Sequence, residues 1–305
     1  MIRAIFLGTW ASICVLAQWQ PATAQDMRLA DILIDGQGWE LVGEGYAFTE
    51  GPAVDREGRL YFTDVFRAKI YRLNAQAKPE VFVDQSYGTN GLAFGPDGLL
   101  YGCQNAKKRI VAYDSSGKDK MIAEGFKNCN DLVVNRMGGI YFTDPEEHLV
   151  WFVPPGGEKR IVDKGLGFPN GLALSPDEGT LVVADMNTSH LWAYRVEADG
   201  GLKFREPFFT MRLLTDHLDS GADGMKIDAA GRTFVTTRLG LQMFDPQGRL
   251  SGVIDKPQNA WLSNVVLGGP SFDTLYVTCT NKVYKRQVKA IGVKPPSAAD
   301  AKDAK

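Results

Sequence analysis

The chain is short of the residues that most often carry chemistry. Its three histidines, His148, His190 and His217, are too few and too irregularly spaced for a histidine-built metal centre. Four cysteines with no C-x-x-C pair exclude zinc-ribbon and thioredoxin-type motifs. No G-x-S-x-G and no phosphate-cradling glycine loop is present, which removes the commonest serine-hydrolase and nucleotide-binding readings. Charge of neither sign dominates: a net charge of −2 over 305 residues gives no electrostatic reason to expect nucleic acid as a partner. After the first two dozen residues no apolar run is long enough to cross a bilayer, so no membrane span is expected in the mature chain.

The N-terminus has the form of a secretory signal. Arg3 supplies a positive start, Ala4 to Leu16 an apolar core, and Ala22-Thr23-Ala24 a small-x-small cleavage pattern. A signal peptide over residues 1–24, cleaved after Ala24, is expected, with the mature protein periplasmic or extracellular. Export would permit disulfides. Loss of Cys14 leaves Cys103, Cys129 and Cys279; a bridge between Cys103 and Cys129 and three packed thiols are both open readings.

What the chain has in abundance is a repeated sentence. An oxygen-bearing head residue, alternating apolars, a turn and a second apolar run recur from Glu50, Asn90, Asn130, Asn170, Asp223 and Asn264, at steps of 40, 40, 40, 53 and 41. Six copies of strand-like runs near that period predict an all-β, six-bladed β-propeller with four strands per blade. The first run of each copy alternates, as in Leu172 and Leu174, which marks a strand. The second, as in Ile140-Tyr141-Phe142, is continuously apolar, as expected for a strand covered on both faces. Val265-Val266-Leu267 in the last copy does not reveal its register. Only five outer runs follow the six copies, so Trp39 to Glu44 is expected to supply the sixth and close the last blade. The propeller is expected over residues 39–290, with a disordered tail over 291–305. The long step places an insert between Thr210 and Ala222, read equally as a lid or as a plain surface loop.

The first strand of each propeller blade lines the central channel, so the six heads should form one ring. All six carry a side-chain oxygen and none is cationic. Two carboxylates among four amides on one axis call for a counter-charge, and a hard divalent cation accepts both oxygen types: Ca²⁺ fits best, with Zn²⁺, Mg²⁺ and Mn²⁺ as alternatives. Turn chemistry alone would explain the Asn-Gly pairs but not Glu50-Gly51-Pro52. The second-strand ends Asp64, Asp144 and Asp185 should form an outer ring, either touching substrate or bonding the turn into the third strand.

At E-G-P from Glu50, N-D from Asn130, P-N-G from Pro169 and D-G-M from Asp223, the chain resembles the senescence-marker-protein, gluconolactonase and luciferin-regenerating family of six-bladed propellers, over about residues 39 to 290. The resemblance implies Glu50, Asn130, Asn170 and Asp223 as metal ligands and Asp223 as general base or nucleophile. It leaves Asn90 and Asn264, with Asp185 of the outer ring, as substrate-binding candidates. The implied activity is calcium-dependent hydrolysis of a carboxylic ester bond in a small-molecule sugar lactone. A phosphotriesterase-type hydrolase and a non-catalytic, metal-braced exported binding module are the alternatives.

Overall fold

The computed structural model describes residues 28–300, whose strands form six four-stranded antiparallel sheets. The expected leader over residues 1–24 lies outside the described residues. In the first blade Thr49–Val54, Leu60–Asp64, Lys69–Leu73 and Pro79–Val83 pair in chain order from channel to rim. The inner strands of the next five blades are Thr89–Phe94, Leu132–Val134, Pro169–Leu174, Met225–Ile227 and Leu262–Gly268. The last blade is completed by Glu40–Glu44, which pairs antiparallel with Lys282–Gln287, as the missing outer run requires.

The core consists of six apolar clusters, one at each junction between neighbouring blades. Ala53, Tyr61 and Ile70 of blade one pack with Leu92, Leu100 and Val111 of blade two. At the seam, Val266, Tyr276 and Val283 of blade six pack with Val54, Leu60 and Phe62 of blade one. The ring is therefore closed by packing as well as by strand pairing. Each fully buried side chain of this kind stabilises by about 1.5–3 kcal/mol, so opening the seam would expose a whole cluster. These clusters also set the register of the last inner strand: Val265 and Leu267 face blade five, whereas Val266 faces blade one.

Side-chain staples reinforce the junctions near the channel. Thr63 Oγ1 donates to the Asn90 carbonyl, Thr143 Oγ1 to that of Asn170, and Thr236 Oγ1 to that of Ser263. Cys103 and Cys129 share one buried cluster as free thiols, and Cys279 lies free in another; of the two readings, the structure has packed thiols.

Two features depart from expectation. The extra length before blade five is divided: the outer strands of blade four, His190–Val196 and Leu202–Thr210, are long, and the rest forms a loop between Thr210 and Met225. The tail expected to be disordered instead lies against the propeller over its described part. Ala290 is buried, Gly292 bridges to Asp228 and donates to the Phe272 carbonyl, and Arg56 Nη1 donates to the Pro295 carbonyl. Its lysines and prolines suggested no core, but backbone hydrogen bonds and the apolar channel floor hold it.

Candidate functional site

The inner strands bring their heads to one end of the channel. Glu50, Asn170, Asp223 and Asn264 are buried there at 3–5% exposure, while Asn90 and Asn130 are half-buried. Their close approach depends on the residue that follows. Gly91 N–H donates to the Asn130 carbonyl and Gly171 N–H to that of Asp223, at 2.9 and 3.0 Å. A Cβ on Gly171 would lie 2.7 Å from Gly224 Cα and closer still to the Asp223 carbonyl. Glycine here is what lets adjacent blades meet at the axis.

Two second positions break this rule, Val265 in the sixth copy and, with a charge, Asp131 in the third. Where the first, second, fourth and fifth copies have Gly51, Gly91, Gly171 and Gly224, the third has Asp131, and its buried carboxylate fills the space beside Gly91. Two positions further along, Ala53, Ala93, Val133 and Ala173 line the channel, and the fifth copy has Lys226. Asp131 and Lys226 act on one another electrostatically across the channel. Beyond them the channel widens into a cavity of about 480 Å³, with Gly292–Pro296 along its lining. From the sequence, Asp131 appears only as the second letter of the N-D motif, with no role, and Lys226 not at all. The available signal was that each is the polar exception in a column of small or apolar residues.

The electrostatics follow from burial. Desolvation raises the Glu50 carboxyl well above its ordinary value, helped by repulsion from Asp223 and Asp131. Asp223 is pushed up to about 7 by burial, against the opposing hydrogen bonds of Trp261 and Asn170. Burial also raises Asp131 and lowers Lys226, each offset by the other's charge. Hydrogen bonds orient the group: Asn264 Nδ2 donates to Glu50 Oε2 at 3.0 Å and to Asp131 Oδ2 at 3.3 Å, and Trp261 Nε1 donates to Asp223 Oδ2 at 2.6 Å.

These residues fit a hard divalent cation by charge and by donor type. Fully ionised, three carboxylates against one ammonium would carry two negative charges in a desolvated space, which one divalent ion would neutralise. Among the described residues no three His, Cys, Asp or Glu side chains converge on one point. A cation here would draw on two carboxylates, Glu50 and Asp223, and on amide oxygens, a set suited to Ca²⁺ more than to a softer metal.

The outer ring has a different task. Asp64 accepts the Ala47 and Phe48 amides, Asp144 those of Lys127 and Asn128, and Asp185 those of Gly167 and Phe168. Each carboxylate latches the segment that enters its own blade's inner strand, and Asp144 and Asp185 also accept the Glu147 and Asn187 amides of the turn into the third strand, one of the two roles expected. Asp185, expected at substrate, is held in this latch. It is 1% exposed, and Trp192 Nε1 donates to one of its oxygens as well. Asn264, expected at substrate, is buried as the brace between Glu50 and Asp131, while half-buried Asn90 keeps an accessible position.

Residues 48–281 match the SMP-30/Gluconolactonase/LRE-like region, so the chain belongs to that family. It is 27% identical to the gluconolactonase of Zymomonas mobilis, an alignment covering 87% of this chain and 85% of that one. Among solved structures, a gluconolactonase from Xanthomonas campestris superposes with a TM-score of 0.76 at 26% identity, over 85% of this chain and 92% of the other. Regucalcin from Agrobacterium tumefaciens, a calcium-binding protein, shares the fold with a TM-score of 0.74 at 17% identity, over 86% and 97%.

Proposed function

We propose that this member of the SMP-30/Gluconolactonase/LRE-like family is a divalent-cation-dependent hydrolase that opens a sugar lactone to its hydroxy acid. The observation that carries the reading is the buried group of Glu50, Asp131, Asn170 and Asp223, whose three carboxylates face only the Lys226 ammonium among the groups acting on Asp131, with Asp223 raised to about 7. The names of the two gluconolactonase relatives support the choice of lactone, and the calcium-binding relative supports the ion.

Glu50, Asn170 and Asp223 would hold the cation, with Asn130 at the fourth ligand position and Ca²⁺ the ion the donors suit best. When bound, the cation supplies Lewis-acid polarisation of the lactone carbonyl. Asp223 takes a proton from the attacking water as the water oxygen adds to the carbonyl carbon. The ring C–O bond then breaks, and the proton passes to the departing ring oxygen, giving hydroxyl and carboxylic acid in one molecule. Asn90, half-buried at the ring, would meet the sugar hydroxyls.

Chelator-stripped protein, titrated with Ca²⁺, Mg²⁺, Mn²⁺ and Zn²⁺ against a panel of sugar lactones, tests this by acid release. Turnover should require the ion and vanish in Asp223→Asn; full activity in that variant would sink the assignment. Turnover confined to phosphotriesters would replace the lactone with that substrate class. A signal peptide over residues 1–24 would put the reaction outside the cytoplasm, and a secreted form beginning at Gln25 would bear this out.

A further inference from the structure

We propose that Trp261 is the positioning residue for Asp223, and that the insert between blades four and five acts on the reaction through it by way of Arg238. The inference rests on the proposed hydrolase reading.

Trp261 stands one residue before the inner strand of blade six and is half-buried. Its indole N–H is a single donor on a rigid plane, and it bonds Asp223 Oδ2 at 2.6 Å. That bond commits Oδ2 and, with the Asn170 amide as the carboxylate's other side-chain partner, fixes its plane. A carboxylate free to rotate would present either oxygen; one held at Oδ2 presents the same face at every turnover.

The indole is itself held. The Arg238 guanidinium lies over the ring, with Cζ 5.1 Å from its centroid. Arg238 Nε donates to Asp219 Oδ1 at 2.8 Å, and its backbone N–H donates to the Ser220 carbonyl at 3.0 Å; both partners belong to the insert. Gly221 presses against this stack, since a Cβ there would lie 2.5 Å from Arg238 Cγ and 3.0 Å from Trp261 Cη2. The root of the insert is fixed to blade four, with Ser220 N–H donating to the Thr188 carbonyl and Gly221 N–H to that of Met186. Its apex is open, with Leu218 at 95% exposure. A continuous set of contacts therefore runs from an exposed loop through Asp219, Arg238 and Trp261 to Asp223. Substrate or partner contact at the apex has a physical route to the carboxylate.

The test uses the full chain with Ca²⁺, a lactone that the wild type turns over, and the variants Trp261→Phe, Arg238→Met, Asp219→Asn and Trp261→Phe/Asp219→Asn. Trp261→Phe keeps the ring and removes the donor. It should lower kcat about 10- to 100-fold, with KM changed less than about threefold. Asp219→Asn should lower kcat more mildly, and its effect should disappear in the double variant because both act through one path. Calcium added to the stripped wild type should shift tryptophan emission, and Trp261→Phe should abolish that shift, a readout independent of turnover. Wild-type kcat in Trp261→Phe, or equal multiplicative effects of Asp219→Asn in both backgrounds, would overturn the proposal. If Trp261→Phe does not fold, Arg238→Met carries the same kcat test from the surface. A wild type that binds calcium without hydrolysing any lactone overturns the hydrolase reading instead, while the emission test still decides whether Trp261 senses the site.

Discussion

Replacing Asp223 by asparagine should make the cation-free protein more stable at neutral pH, although the same change should abolish turnover. Burial pushes the Asp223 carboxyl from 3.8 up to about 7. A carboxyl with a raised folded-state pKa holds its proton more tightly in the folded chain than in the unfolded one. Its contribution is fully present below about pH 4 and is lost as pH rises through about 7. At about 1.4 kcal/mol per pH unit, the loss is roughly 4 kcal/mol by pH 8. Glu50, also raised, adds a loss of the same sign in both proteins. Surface carboxylates contribute equally to each, and loss of the Asp223 charge that repels Glu50 eases the Glu50 loss in the variant, so both effects favour Asp223→Asn. In chelator, urea denaturation should give nearly equal stabilities at pH 4 and a variant more stable by up to roughly 4 kcal/mol at pH 8. For a chain of this size that amounts to about 8 °C in Tm, at about 2 °C per kcal/mol. Saturating Ca²⁺ should reverse the order, since an ion that binds only the folded wild type stabilises it by mass action. A gap that does not change with pH, or a variant less stable than wild type at pH 8 without metal, would refute the charge reasoning.

Lys226→Met removes the one positive charge facing Asp131, so calorimetry should show divalent affinity raised about tenfold, or about 1.4 kcal/mol, with a lower Tm in chelator. Gly171→Ala forces a Cβ against the backbone of Asp223 and Gly224, which cannot yield as a side chain would; denaturation should show a loss of about 3 kcal/mol. Asp64→Ala strips the acceptor from the Ala47 and Phe48 amides and should cost about 2–4 kcal/mol of stability, with calcium affinity changed less than about twofold.

The blade count, the closing strand and the ring of heads were legible because a propeller repeats one solution, and a column of equivalent positions reports the same environment six times. Glu50, Asn170, Asp223 and Asn264 meet where that column places them. The outer aspartates were legible as a ring but not as latches, because their partners are backbone amides that precede the repeat's first recognisable residue. Trp261 was not legible: it sits in the loop entering the last inner strand, outside the recognisable repeat, and its partner lies 38 positions away in the neighbouring blade. Asp131 and Lys226 are the instructive case. Read as members of their own copies they look like a variant turn and a surface lysine; read down the columns, they are exceptions among glycines and among small apolar residues. Positions that keep the column's small or apolar residue are filled by packing alone, but a buried charge that departs from its column has no packing reason to exist and must be balanced by something on the axis. In a repeat protein, the departures from the repeat are therefore where the chemistry should be sought.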